Sequence, residues 1–255
     1  MLLSLSGMIL ITLLRYIYTA WAAIVFVTLL LVTAPFFFLF SWIFGKRSLP
    51  WILVLCRFIS WSMSVLLLIP MRIHRNKALD RKRAYVIIAN HKSNYDAPVA
   101  AASTSGNVRF LIKHELLKVP LLGSLFKRTA VSVDRSSPES RRKSMMVLAD
   151  YLAQGDSIFM FPEGTRNKTK DQVMIPFKDG AFRLAIELQV PILPLVYINT
   201  QKVMPNKPLI MRPGVIHIHE LEMVSTDGYS LDDVPKLREK VREIMQNAYL
   251  ELTGQ

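Results

Sequence analysis

The chain has 255 residues, 51% of them hydrophobic, and a formal charge of +13. That length admits one globular domain of ordinary size and something more, and the apolar excess argues against a purely soluble protein. The charge alone fits nucleic acid, an anionic membrane surface, or an acidic substrate or carrier. No zinc-finger, RNP or helix-turn-helix pattern supports nucleic acid, and the single cysteine, Cys56, excludes an internal disulfide and fits a reducing compartment.

Residues 1–70 hold no Asp or Glu and only four basic residues, Arg15, Lys46, Arg47 and Arg57. Thirty uncharged residues separate Arg15 from Lys46, where a bilayer core needs about 20 apolar ones. At roughly 0.3 to 0.6 kcal/mol per large apolar residue, membrane residence gains on the order of 5 to 10 kcal/mol. Tyr18, Trp21 and Trp42 stand near the ends of this run, as interfacial aromatics do. It is too long for a cleaved leader. A second apolar run, 48–70, carries Arg57 near its middle, which costs about 2.5 to 3.5 kcal/mol at the centre of a spanning helix, so this run either spans or lies in the interface. The expected organisation is a pair of membrane-anchoring helices over 1–70 and a globular domain over 71–255.

Directly after Pro70 come Arg72, Arg75, Lys77, Arg81, Lys82 and Arg83 against one Asp80. The positive-inside rule places this cluster and the following domain on the cytoplasmic side, next to anionic lipid heads.

From Tyr85 onward short apolar runs alternate with helical patterns. Tyr85–Ala89, Val108–Ile112, Ala130–Val133, Ser157–Phe161 and Ile192–Ile198 read as strands, which predicts an α/β fold, a mixed sheet flanked by helices. Ser137-Pro138 starts a helix that ends near Gly155, and Gly180–Leu188 is a shorter one. Val234, Leu237, Val241, Ile244, Met245, Ala248 and Leu252 recur at helical spacing, the apolar face of a helix docked on the domain.

The strand Tyr85–Ala89 runs into Asn90-His91-Lys92-Ser93-Asn94-Tyr95-Asp96-Ala97-Pro98. On one continuous helix His91 and Asp96 would stand about 140° apart, and Pro98 disfavours that helix. A turn at His91 followed by a helix starting at Asp96 would instead fold the carboxylate onto the imidazole, fixing its tautomer and leaving the other nitrogen as a base. Spacing alone leaves open that Asp96 only caps the helix and that His91 only meets backbone.

The pattern Asn-His-x-Ser-x-x-x-Asp resembles the first motif of the glycerolipid acyltransferases related to 1-acyl-glycerol-3-phosphate acyltransferase, and further blocks follow in the family's order. These are Lys113-His-Glu115 with Pro120, Gly123 and Val131–Arg135, then Phe161-Pro-Glu-Gly-Thr-Arg166, then Pro176–Phe182 and Val190–Pro194. Asn167 departs from a common Ser, and Thr129 from a usual Gly, which bears on the subfamily and its acceptor. The resemblance implies transfer of an acyl group from acyl-CoA or acyl carrier protein to the sn-2 hydroxyl of lysophosphatidic acid. It implies His91 and Asp96 as the catalytic pair, and Lys113, Arg135, Glu163, Gly164, Thr165 and Arg166 as acceptor-binding residues. Chemistry agrees, since acyl transfer needs a base for the hydroxyl and an acceptor phosphate needs fixed cations. Gly164 suits a tight turn, with Glu163 orienting Arg166 or the glycerol.

Rival readings are acylation of glycerol 3-phosphate or another lysophospholipid, and a non-catalytic basic scaffold on membranes. No cofactor is expected, for no Walker or Rossmann glycine loop is present. No metal is expected either: His217 and His219 share a strand face, but Glu220 points the other way and no further ligand is near in sequence. Asn167-Lys-Thr169 matches a glycosylation sequon that a cytoplasmic domain would not expose to the machinery.

Overall fold

The computed structural model describes residues 5–169, 171–206, 208 and 210–254. The first element of the described residues is α1, Leu5–Phe44, which contains most of the uncharged run between Arg15 and Lys46 and carries Pro35 within it. Thr12, Thr19 and Thr33 return their hydroxyls to carbonyls four residues back, which satisfies them without water. Gly45 takes φ +52° and ends the helix. A 3-10 turn over Gly45–Ser48 then leads into α2, Leu49–Leu66, with Pro50 in its first turn, where the missing N–H costs nothing.

The two helices form an antiparallel hairpin, fixed near its open end by Tyr18 Oη on the Leu67 carbonyl and by Trp21 Nε1 on that of Leu66. By length and composition this apolar segment is able to cross a membrane, and most of it is exposed. Arg57 does not face outward alone. Its guanidinium donates to the carbonyls of Thr104 (3.1 Å) and Gly106 (2.7 Å), so the charge that sequence places inside an apolar run is spent on protein backbone.

Seven strands follow: β1 Met71–His74, β2 Val86–Ala89, β3 Val108–Lys113, β4 Ala130–Val133, β5 Ser157–Met160, β6 Ile192–Ile198 and β7 Ile216–Glu220. Their order in the sheet is β1-β7-β6-β2-β5-β3-β4, parallel throughout except for the β6–β7 pair. The five predicted strands are all present, and the sheet is mixed as expected. β1 is an addition: its Met71-Arg72-Ile73-His74 alternation is that of an edge strand, although its basic residues suggested a lipid-facing loop. Pairing with β7 draws Arg75 and Arg81 onto Glu220 (2.5 and 2.8 Å) and leaves Arg72, Lys77, Lys82 and Arg83 exposed.

Helix α3, Asp96–Ser103, and the hairpin cover one face of the sheet. Ala22, Val25, Leu29, Ile59, Met63 and Leu67 join Ile87, Phe159, Leu195 and Ile218 in one apolar cluster. The short α4, Leu122–Thr129, reaches the hairpin tip through Arg128 and the Gly45 carbonyl. On the other face lie α5 (Pro138–Ala153), α6 (Gly180–Glu187) and α8 (Val234–Thr253), with Leu148, Phe182, Leu237, Val241 and Met245 in a second cluster. Ser137 caps α5 through the Ser140 amide, as its sequence indicates. A single turn, α7 (Thr200–Val203), opens the long connection to β7.

Candidate active site

β2 lies in the middle of the sheet between β5 and β6, and the carboxyl ends of such strands are where α/β folds bind ligands. Asn90, the first residue beyond β2, is wholly buried and exchanges two hydrogen bonds with the Tyr197 backbone of β6, at 3.0 and 2.7 Å. The end of the strand is thereby locked to its neighbour.

The chain then turns, and α3 starts at Asp96. Asp96 Oδ2 accepts from His91 Nδ1 at 2.8 Å and from the Lys92 and Ser93 amides, also at 2.8 Å. One oxygen therefore both closes the turn and holds the imidazole, so the two readings left open by spacing turn out to be one arrangement. The carboxylate has no exposed surface, and its Oδ1 is buried without a hydrogen-bond partner. Because a carboxylate accepts, Nδ1 carries the ring proton and Nε2 presents its lone pair to the outside. No hydrogen bond engages Nε2 among the described residues. Ser93 adds a further brace, donating to the Met204 carbonyl at 2.7 Å while accepting from the Tyr95 amide.

The segment 161–167 forms the wall against which His91 rests. The Phe161 ring stacks on the imidazole at 4.0 Å between centroids. Glu163 Oε1 accepts the His91 amide at 2.7 Å, and Oε2 accepts the Ile175 amide at 3.1 Å. The Asn167 amide closes the other side by donating to the His91 carbonyl at 2.7 Å. Burial raises the Glu163 carboxyl to about 7 in spite of these two donors. Glu163 is buried, and among the described residues it makes no hydrogen bond or ion pair with Arg166. Its hydrogen bonds are with main chain, a placement that its spacing does not reveal. Asn167 is itself buried, with its amide on the Gln172 carbonyl, so the sequon it begins is not offered at the surface.

Gly164 takes φ +70°, which favours glycine at this turn, and a Cβ there would stand 3.3 Å from Lys178 Cγ. Arg135, which follows β4, donates to the Gly164 carbonyl. Arg166 is half-buried and donates to Asn206 Oδ1 at 3.0 Å, and Asn206 Nδ2 in turn reaches the Lys92 carbonyl at 2.9 Å. Thr165 is exposed. Lys113 ends β3, two strands from β2, and is exposed and paired with Glu115 at 2.7 Å. The structure thus groups His91, Asp96, Glu163 and Gly164 closely, with Arg135 and Arg166 at their rim, and sets Lys113 farther out along it.

Two participants escape a reading of the sequence. Asn206 comes from the connection before β7 and carries no local signal. Tyr249 comes from α8 and places its ring 4.9 Å from the Lys92 ammonium, whose pKa burial lowers. A cavity of about 160 Å³ lined by Arg81, Lys82, Arg83 and Asn107 lies at the opposite end of the sheet, away from His91.

With this geometry in hand, the comparisons with known proteins are specific. Residues 70–198 match the family model described as Acyltransferase, an interval that spans every block from Asn90 to Pro194. The human 1-acyl-sn-glycerol-3-phosphate acyltransferase alpha is 33% identical over 171 residues, covering 66% of this chain and 60% of its own. The 1-acyl-sn-glycerol-3-phosphate acyltransferase of Salmonella typhimurium is 32% identical over 170 residues, 66% of this chain and 67% of its own. The chain therefore spans about three fifths of the length of the human relative. The crystal structure of the 1-acyl-sn-glycerophosphate (LPA) acyltransferase PlsC from Thermotoga maritima superposes with a TM-score of 0.78, covering 94% of this chain and 98% of that one. At 22% identity that likeness is one of fold. Family model, relatives and fold agree, and the chain belongs to the acyltransferase family.

Proposed function

We propose that the protein transfers a fatty acyl group from a thioester donor, acyl-CoA or acyl carrier protein, to the free sn-2 hydroxyl of lysophosphatidic acid, giving phosphatidic acid. The observation that carries this reading is the His91–Asp96 pair at 2.8 Å, with His91 Nε2 free of hydrogen bonds among the described residues. In this reading Nε2 takes the hydroxyl proton as the oxygen attacks the thioester carbonyl. The tetrahedral intermediate collapses, the C–S bond breaks, and the imidazolium returns its proton to the leaving thiolate. Asp96 stabilises that imidazolium and holds its tautomer. Arg166 and Arg135 meet the acceptor's phosphate, where a guanidinium offers two parallel donors.

The placement of the hairpin supports an amphiphilic acceptor. Thr19 of α1 accepts the Met211 amide, so the connection that carries Asn206 to the site also touches the apolar helix. We place residues 1–70 in the membrane as the anchor and 71–255 at its cytoplasmic side as the catalytic region, with the exposed Arg72, Lys77, Lys82 and Arg83 against anionic lipid heads.

The test is an assay of the full chain in detergent or liposomes with a panel of donors and acceptors. Acylation of lysophosphatidic acid without acylation of glycerol 3-phosphate is the expected result. Binding of lipid with no turnover on any donor would replace this reading with that of a scaffold.

A further inference from the structure

The pairing of β1 with β7 joins residues that sequence keeps far apart. His74 of β1 stands in register with His219 of β7, and Arg72 with His217. On β7 the side chains of Ile216 and Ile218 are buried in the hairpin-side cluster. His217 and His219 alternate with them and so project from the other face, where His74 joins them at the open edge of the sheet. One ring nitrogen from each of the three histidines lies within 4.8 Å of the others. His74 is exposed and the other two are half-buried, so solvent reaches the cluster.

We propose that His74, His217 and His219 bind one borderline divalent transition-metal ion, zinc foremost, at a site separate from the acyl-transfer centre. The first support is metric. Zinc–nitrogen bonds of about 2.0 to 2.1 Å in a tetrahedral site require neighbouring nitrogens roughly 3.3 to 3.4 Å apart, and His74 Nε2 lies 3.3 Å from His217 Nδ1. The second is the donor set. Among the described residues no carboxylate or thiol joins the cluster, and an all-imidazole set suits zinc, nickel or copper(II) and not calcium or magnesium.

Two features set what binding requires. The His74 and His219 rings are stacked at 4.0 Å, only 6° from parallel. Their in-plane lone pairs do not converge, so His219 has to rotate about χ2, a torsion with a broad well. Arg72 adds a positive charge in register with His217, which places the affinity below that of sites containing thiolate or carboxylate ligands. Three protein ligands leave the fourth position to water.

The site is a clip between the strand that leaves the hairpin and the rest of the sheet. β6 separates β7 from β2, so the cluster is on the order of 10 Å or more from the end of β2, by strand spacing. An ion here would stabilise the edge strand, and acyl transfer should proceed without it. The inference therefore stands or falls independently of the proposed reaction.

The experiment uses the full chain without a polyhistidine tag, solubilised in detergent and stripped by a chelator. Titration with cobalt(II) should give one equivalent with the visible bands of tetrahedral coordination, displaced by zinc. Affinity should drop at least tenfold in each of His74→Ala, His217→Ala and His219→Ala, and remain unchanged in His114→Ala. The wild-type melting temperature should rise with zinc concentration and that of His74→Ala should not. His74→Ala decides the matter if the other variants misfold, because His74 is exposed on an edge strand. Equal cobalt binding by wild type and His74→Ala, or no saturable binding by wild type, would overturn the site. The 3.3 Å contact would then be a plain hydrogen bond between imidazoles.

Discussion

The loop bearing His91 and Asp96 and the rim bearing Lys113, Arg135 and Arg166 sit at the same end of one sheet, past the carboxyl ends of parallel strands. They are built in opposite ways. Around His91 the ring, the amide and the carbonyl are each held, by Asp96, Glu163 and Asn167, and the ring is backed by Phe161. The cations are held at one point each, or by an exposed partner, on long flexible stems. A proton is transferred over a hydrogen-bond length and tolerates little misplacement, whereas a phosphate group is met by charges that are able to follow it. The contrast separates the residues that should set kcat from those that should set KM.

The largest effect is expected at His91, the proposed base. His91→Ala should lower kcat by about two to four orders of magnitude with the circular dichroism spectrum unchanged. Retention of more than a third of wild-type activity would remove His91 from the chemistry. Asp96→Asn is a milder break. The amide oxygen is able to keep the bonds from His91 and the Lys92 and Ser93 amides, but its NH2 then takes the buried place of Oδ1, an atom that makes no hydrogen bond. A buried donor without a partner costs about 1 to 3 kcal/mol, so this variant should lose stability in a melt along with part of its kcat.

Glu163 tests whether the brace matters apart from the base. A glutamine at 163 accepts only one of the two amides from His91 and Ile175 and turns its own NH2 toward the other, at a similar cost of about 1 to 3 kcal/mol. Glu163→Gln should therefore lower both melting temperature and kcat, while acceptor KM moves little. A KM effect alone would return Glu163 to the glycerol. The effect also has a pH signature. Burial raises this carboxyl from an ordinary 4.5 to about 7, so the folded state favours its neutral form. The cost of ionising it is absent below about 4.5 and fully developed above about 7. The stability advantage of wild type over Glu163→Gln should accordingly shrink between pH 5 and pH 8, as thermal melts at several pH values would show.

How much of this arrangement was legible in the sequence depends on how local each signal is. Pro98 and the turn after His91 only allowed the His91–Asp96 contact and left plain helix capping open beside it, whereas the central strands announced themselves as apolar runs. β1 did not, because two of its four residues are basic or imidazole and an edge strand has one wet face. The main-chain partners of Glu163, the amides of His91 and Ile175, were not legible because amides belong to every residue alike and carry no side-chain identity. Asn206 and His74 depend on contacts 40 and 143 residues away in sequence, with Arg166 and His217. Such pairings exist only once the sheet order is known. The apolar hairpin was clear as an element, yet its residues also sit in the core cluster of the sheet, which hydropathy cannot distinguish from lipid contact.

The smallest effects lie among the cations, and they rank by how each is held. Arg166 is half-buried, and Asn206 aims it beside the His91 loop. A charge-assisted bond there is worth about 1.5 to 3 kcal/mol, so Arg166→Ala should raise the KM for lysophosphatidic acid about ten- to hundredfold, with donor KM little changed. Arg166→Lys should restore only part of the loss, since an ammonium lacks the two parallel donors. Lys113 is exposed, stands two strands from β2 and already pairs with Glu115, and an exposed pair is worth about 0 to 1 kcal/mol. Lys113→Ala should therefore move acceptor KM by no more than a factor of about five, and the change should fade as salt is raised. If instead Lys113→Ala matched Arg166→Ala in acceptor KM, the phosphate would have to sit over β3, away from His91. The division between a fixed base and a loose cationic rim would then have to be redrawn around β3.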